Sequence, residues 1–312
     1  MNPRERDAPR KRILVAGAAG FIGRSVVAAL RAESDAEIHA VGRNPASPFG
    51  GGICYHVTDL LDAEDTDRVF DLVRPTHLIQ LAWCSEHNVY WRDHANFSWI
   101  DSNLRIARAF LRNGGERCLF AGTSAEYDWK ADGPFHEFLS PLKPQLLYGA
   151  SKLACFHALS AFFEQEKVSW SWARMFCPFG PNEDRRRLIP KTCLRILAGE
   201  TLDFDSARDL RDFLHVEDVA AALCATLRSD LQGPVNVASG QPVTVREVLT
   251  LVARHLGREE AIRFAAEGPD QPVPSQPIVA DVTRLVEEAG WSPEKTLSDR
   301  LKETCEWWKT QR

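Results

Sequence analysis

The chain has 312 residues, enough for one large or two ordinary domains and for a substantial buried core. Its 38 Lys and Arg against 43 Asp and Glu give a formal net charge of −5 at pH 7, which offers no global attraction to polyphosphate and speaks against a general nucleic-acid binder. Hydrophobic residues at 44% and charged residues at 26% are ordinary globular usage, against wholesale disorder and against a fibrous architecture.

Residues 1–11 read as a disordered, charged tail. Arg10-Lys11-Arg12 ahead of the apolar run from Ile13 to Gly23 imitates a secretion signal, but the run carries evenly spaced glycines and continues into an amphipathic helix pattern. No stretch approaches the roughly 20 apolar residues of a membrane span. From residue 12 to about 175, short apolar runs alternate with longer helix-period segments, the rhythm of a parallel sheet covered on both faces. The predicted strands are Arg12–Ala16, Glu37–Gly42, His77–Leu81, Arg117–Ala121 and Ser169–Arg174. The predicted helices between them are Phe21–Ala32, Ala63–Val73, a run around Trp99–Arg112, and Tyr148–Glu166. Past residue 176 proline and arginine rise and the alternation breaks, which places a smaller lobe at 176–211 and 239–312, with 212–238 returning to the first domain. There a strand-like Gly233–Ala238 precedes a helical Val245–His255. A proline-rich crossing (Pro269, Pro272, Pro274, Pro277) and a last helix, Leu297–Trp308, follow. The eight cysteines lie at least sixteen residues apart with no C-x-x-C pair, so their spacing points to free thiols in a reducing cytoplasm and to no metal centre.

Gly17-Ala18-Ala19-Gly20-Phe21-Ile22-Gly23 follows a strand and opens a helix, where small residues permit a tight turn and let a pyrophosphate reach the positive helix N-terminus. About 20 positions on, where an acidic residue would bond the ribose of NAD, the sequence has Gly42-Arg43-Asn44. A carboxylate there would repel a 2′-phosphate, whereas Arg43 can bind one with charge-assisted bonds, so NADP(H) is expected over NAD(H). Asp59-Leu60 ends the next apolar stretch, at a place where a side chain could meet the adenine. Tyr148-Gly149-Ala150-Ser151-Lys152 puts a tyrosine and a lysine four apart on one face of a helix. An ammonium near a phenol lowers the phenol's pKa, and such a tyrosine can pass a proton to or from an alcohol or carbonyl oxygen while hydride moves at the attached carbon. Upstream, a strand ends in Gly122-Thr123-Ser124, whose hydroxyls would face the ligand crevice of an open α/β sheet.

The glycine loop, the hydroxyl pair and Tyr148 with Lys152, in this order and at these separations, resemble the extended short-chain dehydrogenase/reductase family, in particular its nucleotide-sugar epimerase, dehydratase and reductase branch. The resemblance spans roughly residues 12 to 308. His77-Leu78-Ile79-Gln80-Leu81-Ala82, Arg174-Met175-Phe176-Cys177-Pro178-Phe179-Gly180-Pro181, Arg211-Asp212-Phe213-Leu214-His215-Val216-Glu217-Asp218-Val219 and Pro234-Val235-Asn236-Val237-Ala238-Ser239-Gly240 are similar to further landmarks of that family. It implies an α/β, Rossmann-type doubly wound parallel sheet with a smaller C-terminal α/β substrate lobe, and a homodimer formed by two helices from each subunit. Tyr148 is implied as acid/base, Lys152 as ribose anchor, Thr123 with Ser124 as hydroxyl partners, and Leu81, Ala82, Trp83 and Met175 as cofactor neighbours. Phe176, Cys177 and Arg211 are implied as substrate contacts, Arg211 toward a diphosphate.

Departures from the family pattern are informative. The family's asparagine on the helix before the Thr123 strand is replaced by Trp99, with Asn96 and Asn103 a turn away on either side, and another substrate-contacting asparagine is Cys177. The Asp-Glu pair with which its dehydratases resemble one another is Ser124-Ala125 here, against dehydration, while Glu126 stands one place off. The insert between Trp83 and Asn103 is rich in aromatic and polar residues: Trp83, Glu86, His87, Tyr90, Trp91, His94, Phe97 and Trp99. It either lines a sugar pocket, with Glu86 or His87 binding hydroxyls, or is a surface helix docked by its rings. Of Arg185, Arg186 and Arg187, Arg187 is the expected diphosphate ligand. The leading expectation is NADPH-dependent reduction of a 4-keto nucleotide sugar. The alternatives are a nucleotide-sugar epimerase with tightly bound NAD(P) and a non-catalytic dinucleotide-binding or RNA-associated relative.

Overall fold

The computed structural model describes residues 10–33, 35–84, 86–265 and 275–311. Its main element is a seven-stranded sheet built from β1 (Arg12–Ala16), β2 (Glu37–Gly42), β3 (Cys54–Val57), β4 (His77–Gln80), β5 (Arg117–Thr123), β6 (Ser169–Met175) and a late strand, Gly233–Val237. The strand order is Gly233–Val237, β6, β5, β4, β1, β2, β3, with every neighbouring pair parallel. The chain therefore returns to the sheet edge after residue 232. The order reverses between β1 and β4, which opens a crevice at the carboxyl ends of the strands.

Alternation along the strands sends side chains to opposite faces. Ile13, Val15, Ile38, Ala40, Ile79 and Leu119 pack with α1 (Phe21–Glu33) and with a helix over Val216–Arg228. Leu14, Ala16, Val41, Leu78, Cys118 and Phe120 pack on the other face with α2 (Ala63–Val73), α3 (Ala95–Arg112) and α4 (Leu147–Glu166). Beyond β6 come β7 (Cys177–Phe179), α5 (Leu188–Leu197), β8 (Leu202–Phe204), β9 (Leu210–Arg211), β10 (Phe213–His215), α6 (Val216–Arg228) and β11 (Gly233–Val237). The chain ends in β12 (Val243–Thr244), α7 (Val245–His255), β13 (Ile262–Phe264), α8 (Thr283–Glu287) and α9 (Leu297–Thr310). Helices α5, α7 and α9 enclose a smaller core of Ile189, Cys193, Val248, Val252, Leu301, Cys305 and Trp308.

Besides several two- and three-residue strands and the short α8, the elements that escaped the sequence reading include β3, α5 and α6, each for a physical reason. Strand β3 is a four-residue edge strand with little burial and no alternation. Helix α5 follows an arginine run and carries Pro190 in its first turn, where a missing N–H costs nothing. Helix α6 starts inside the stretch from Arg211 to Val219, and its N-cap is His215, whose Nδ1 accepts from Glu217 N at 3.3 Å. Residues 1–9 of the expected tail, and Pro269, Pro272 and Pro274 of the proline-rich crossing, lie outside the described residues. Among the described residues no helix is long and apolar enough to cross a membrane.

Two buried histidines couple this fold to pH. Burial lowers His77 from its ordinary value of 6.5 to about 4 and His215 to about 3. The unfolded chain binds protons at the ordinary value, so native stability is fully present above 6.5 and is lost as the pH falls toward 4 and 3. Going from about pH 7.5 to about pH 5, His77 alone removes about 2 kcal/mol of unfolding free energy. In urea titrations His77→Gln should shrink the difference between those two conditions by that amount; an unchanged difference would contradict the assignment.

Candidate active site

The glycine turn forms the first wall of the crevice. Gly17 has φ +78°, and a Cβ on it would lie 2.8 Å from Ala82 N; one on Gly23 would lie 2.3 Å from Gly17 O. Both are therefore demanded by the close approach of turn, strand and helix. Gly20 differs, because a Cβ there meets only Gly17 O, at 3.2 Å, within 4 Å. It leaves the floor open before the first turn of α1, whose N–H groups have no intrahelical partner.

From this turn a cavity of about 1000 Å³ runs along the strand ends. Of the residues singled out from sequence as cofactor neighbours, Gly17, Gly20, Phe21, Ile22, Gly23, Arg43, Leu60, Leu81, Ala82, Trp83 and Lys152 line it. His87, Thr123, Ser124, Tyr148, Met175, Phe176, Cys177, Arg187 and Arg211 line it as well. Asn44, Asp59 and Glu86 are not among the lining residues. Asn44 Oδ1 accepts from Ala46 N and Asp59 Oδ1 from Leu61 N, two local turn contacts, while Glu86 is exposed, 3.8 Å from Arg186 Nη1.

Tyr148 stands in a nest of rings. Tyr90 meets it edge-on at 4.8 Å between centroids, Trp91 at 5.6 Å and Trp83 at 6.4 Å. The aromatic insert thus divides: Trp83, His87, Tyr90, Trp91 and Trp99 line the cavity, while Phe97 is 56% exposed. Lys152 is buried, its Nζ donating to Ala121 O at 2.7 Å and lying 3.9 Å from the centre of the Trp83 ring. Burial lowers its pKa to about 8. Burial also pushes the Tyr148 phenol well above its ordinary 10, with Tyr90 adding to the rise and the Thr123 hydroxyl opposing it by hydrogen bonding. Burial thus dominates the Tyr148 phenol, while the lysine expected to lower it lies over the Trp83 ring with its ammonium donating to Ala121 O.

The sequence matches the model of the NAD dependent epimerase/dehydratase family over residues 13–238. The chain belongs to that family. It is 26% identical to UDP-glucuronic acid decarboxylase 1 of Xenopus tropicalis over 97% of this chain and 73% of the relative. It is likewise 26% identical to GDP-L-fucose synthase 1 of Arabidopsis thaliana, over 95% of this chain and 93% of that protein. Among solved structures, UDP-glucose 4-epimerase of Thermus thermophilus, in complex with NAD, superposes with a TM-score of 0.82 at 27% identity, covering 96% of this chain and 99% of that one. As an extended short-chain dehydrogenase/reductase, this chain shares its sheet and crevice with epimerases, dehydratases and reductases alike.

Within that family frame, the residues around the hydroxyl pair explain the departures. Glu126 has no exposed surface and is fully engaged: Oε1 accepts from Thr123 N at 2.8 Å and from Trp172 Nε1 at 3.0 Å, and Oε2 accepts from Arg174 Nε at 2.7 Å. It is a capping and ion-pairing group, absent from the cavity lining. Asn96 accepts from Trp83 Nε1 at 2.8 Å and donates to Tyr90 O at 2.7 Å, so it props the aromatic wall. Asn103 accepts from Gln80 Nε2 at 3.2 Å, and Trp99 stacks on Trp83 at 6.2 Å. Among the lining residues that sequence reasoning missed are Trp129 and Glu183. Trp129 Nε1 donates to Ser124 O at 2.8 Å. Glu183 is buried, which raises its carboxyl to about 8; it lies in the irregular segment before α5, where no periodicity marks it.

Removing one partner of a buried ion pair leaves an uncompensated charge, at a cost of about 3 to 5 kcal/mol. Arg174→Met should lose that much stability in chemical denaturation, and adding Glu126→Met should restore a large part of it. A loss below about 1 kcal/mol for the single variant, the size of an exposed pair, would contradict this account of the pair.

Proposed function

We propose that the protein reduces the 4-keto group of a nucleotide-linked sugar with NADPH, Tyr148 donating the proton. The observation that carries this reading is that Tyr148, beside Thr123, lines one cavity with Gly20 and Arg43. Gly20 leaves room for a pyrophosphate at the N-terminus of α1, so the residues fit a dinucleotide. Arg43, exposed at the end of β2 and lining the cavity, is the group to hold a 2′-phosphate, and Lys152 the group to hold a ribose. Bound there, the nicotinamide supplies hydride.

The chain's own residues do the rest. Thr123 and Tyr148 bind the ketone oxygen, and Tyr148 passes its proton to that oxygen as negative charge develops on it. Trp83, Tyr90 and Trp91 exclude water and present ring faces to the sugar. Arg187, whose guanidinium lies 5.7 Å from the Tyr90 ring centre, and Arg211 hold the diphosphate. In this reading residues 12–175 with 212–238 form the dinucleotide domain, the remainder forms the substrate lobe, and the protein works as a homodimer in the cytoplasm. An epimerase with resident cofactor is the second reading, favoured by the likeness to an NAD-bound epimerase.

Tyr148→Phe should lower turnover by about 10² to 10⁴ and leave NADPH affinity within about twofold, measured by fluorescence titration; near-normal turnover would contradict the assignment. Arg43→Asp should weaken NADPH about tenfold or more beyond any loss for NADH, the value of charge-assisted bonds to one phosphate. Equal losses for the two cofactors would contradict a 2′-phosphate contact.

A further inference from the structure

Outside the cavity lining, the edge of the sheet brings four ligand-type side chains to one face. Glu37 and His39 are two apart on β2, and Cys54 and His56 are two apart on β3, so each pair shares a face. In the parallel register His39 lies opposite Cys54 and Val41 opposite His56. The result is a patch of one carboxylate, two imidazoles and one thiol, and donor atoms of Glu37, His39 and Cys54 all lie within 4.8 Å of one another.

His39 is the deciding residue. It is only 6% exposed, and its Nε2 faces Glu37 Oε1 at 3.1 Å without the alignment of a hydrogen bond. Its other nitrogen, Nδ1, is 2.9 Å from His56 Nε2, and the two rings stack at 5.2 Å. In the tautomer whose Nδ1–H donates to His56, Nε2 turns a lone pair toward the Glu37 carboxylate, an arrangement that a cation between them would satisfy. That is the support a metal-bound imidazole receives from a second residue. In a tetrahedral zinc site oxygen and nitrogen ligands are about 3.3 Å apart, and nitrogen and sulfur about 3.6 Å. The Glu37–His39 separation already approaches the first figure, and rotation of the Cys54 side chain, which is exposed, can meet the second.

The geometry points to a metal site at this edge: Glu37, His39 and Cys54 bind a borderline-soft divalent cation such as Zn²⁺, with His56 orienting His39. Water completes the fourth position, as in other three-ligand sites. Arg12, whose charge acts on His39, is committed elsewhere, donating to Val73 O at 3.0 Å and to Arg74 O at 2.7 Å. A second grouping, His215 with Glu217 and Glu303, carries no such inference, because Arg300 already supplies its positive charge, at 2.7 Å from Glu217 and 2.9 Å from Glu303. Bound metal would tie β3 to β2 and brace the strand end that leads into Arg43.

The test is titration of the chelator-treated, full-length protein with Co²⁺, followed by absorption spectroscopy. The site predicts one equivalent bound per chain with a thiolate-to-cobalt charge-transfer band. Cys54→Ala should abolish the band while leaving the circular dichroism spectrum unchanged. His56→Phe should weaken binding by about tenfold or more, and Glu303→Gln should change nothing. No binding by the unaltered protein would overturn the site. Retention of band and affinity in Cys54→Ala, or their loss in Glu303→Gln, would do the same.

Discussion

Glu126 and Arg174 are both wholly buried, and neither charge can be solvated except by the other and by the groups around them. Satisfying this pair fixes the geometry of the site. Glu126 takes the N–H of Thr123 and the indole N–H of Trp172, so the end of β5 is pinned with its hydroxyl residue at the cavity. Arg174 reaches on to the Tyr127 hydroxyl at 3.2 Å, and Tyr127 donates to Asn236 Oδ1 at 2.8 Å. Asn236 N in turn donates to Glu137 Oε1 at 2.8 Å. One continuous buried network therefore joins the ends of β5 and β6 to β11, three strands from distant parts of the chain. Two of its buried atoms, Arg174 Nη2 and Glu137 Oε2, have no hydrogen-bond partner, yet its remaining bonds hold the ground on which Thr123 and Tyr148 meet.

Above that ground the dominant electrostatic influence is desolvation. It favours the uncharged form of each group, raising Tyr148 and lowering Lys152. An acid that keeps its proton at neutral pH suits reduction of a ketone, where the oxygen must be protonated as hydride arrives. The aromatic wall contributes to this environment, because Trp83 packs against both side chains and Tyr90 against Tyr148. Asn96, which bonds to both of those aromatic residues, is the positioning residue behind that wall.

Much of this was legible in the chain. The alternation of apolar runs and helix-period segments marks the sheet, and Arg12–Ala16, Glu37–Gly42 and Ala63–Val73 emerge with the bounds that their patterns predict. The three glycines and the Tyr148–Lys152 spacing mark the cavity because local backbone rules impose them. Local rules fail where partners come from elsewhere. Nothing around Glu126 announces that Trp172 and Arg174, nearly fifty residues on, consume its carboxylate, so its possible acid role stayed open. Asn44 and Asp59 stand at plausible offsets, yet short side chains in turns bond first to their own backbone. Cysteine spacing along the chain likewise hides Cys54 beside His39, since only strand pairing joins them.

The proposed role is a net reduction that consumes the nicotinamide cofactor, with Tyr148 as acid. The most direct measurement follows deuterium from NADPH carrying the label at its transferable position during incubation with a 4-keto nucleotide sugar. The account predicts one deuterium in each product sugar and one NADP⁺ formed per turnover. A sugar inverted in configuration without label uptake and without net oxidation of the nucleotide would contradict it and make the protein an epimerase.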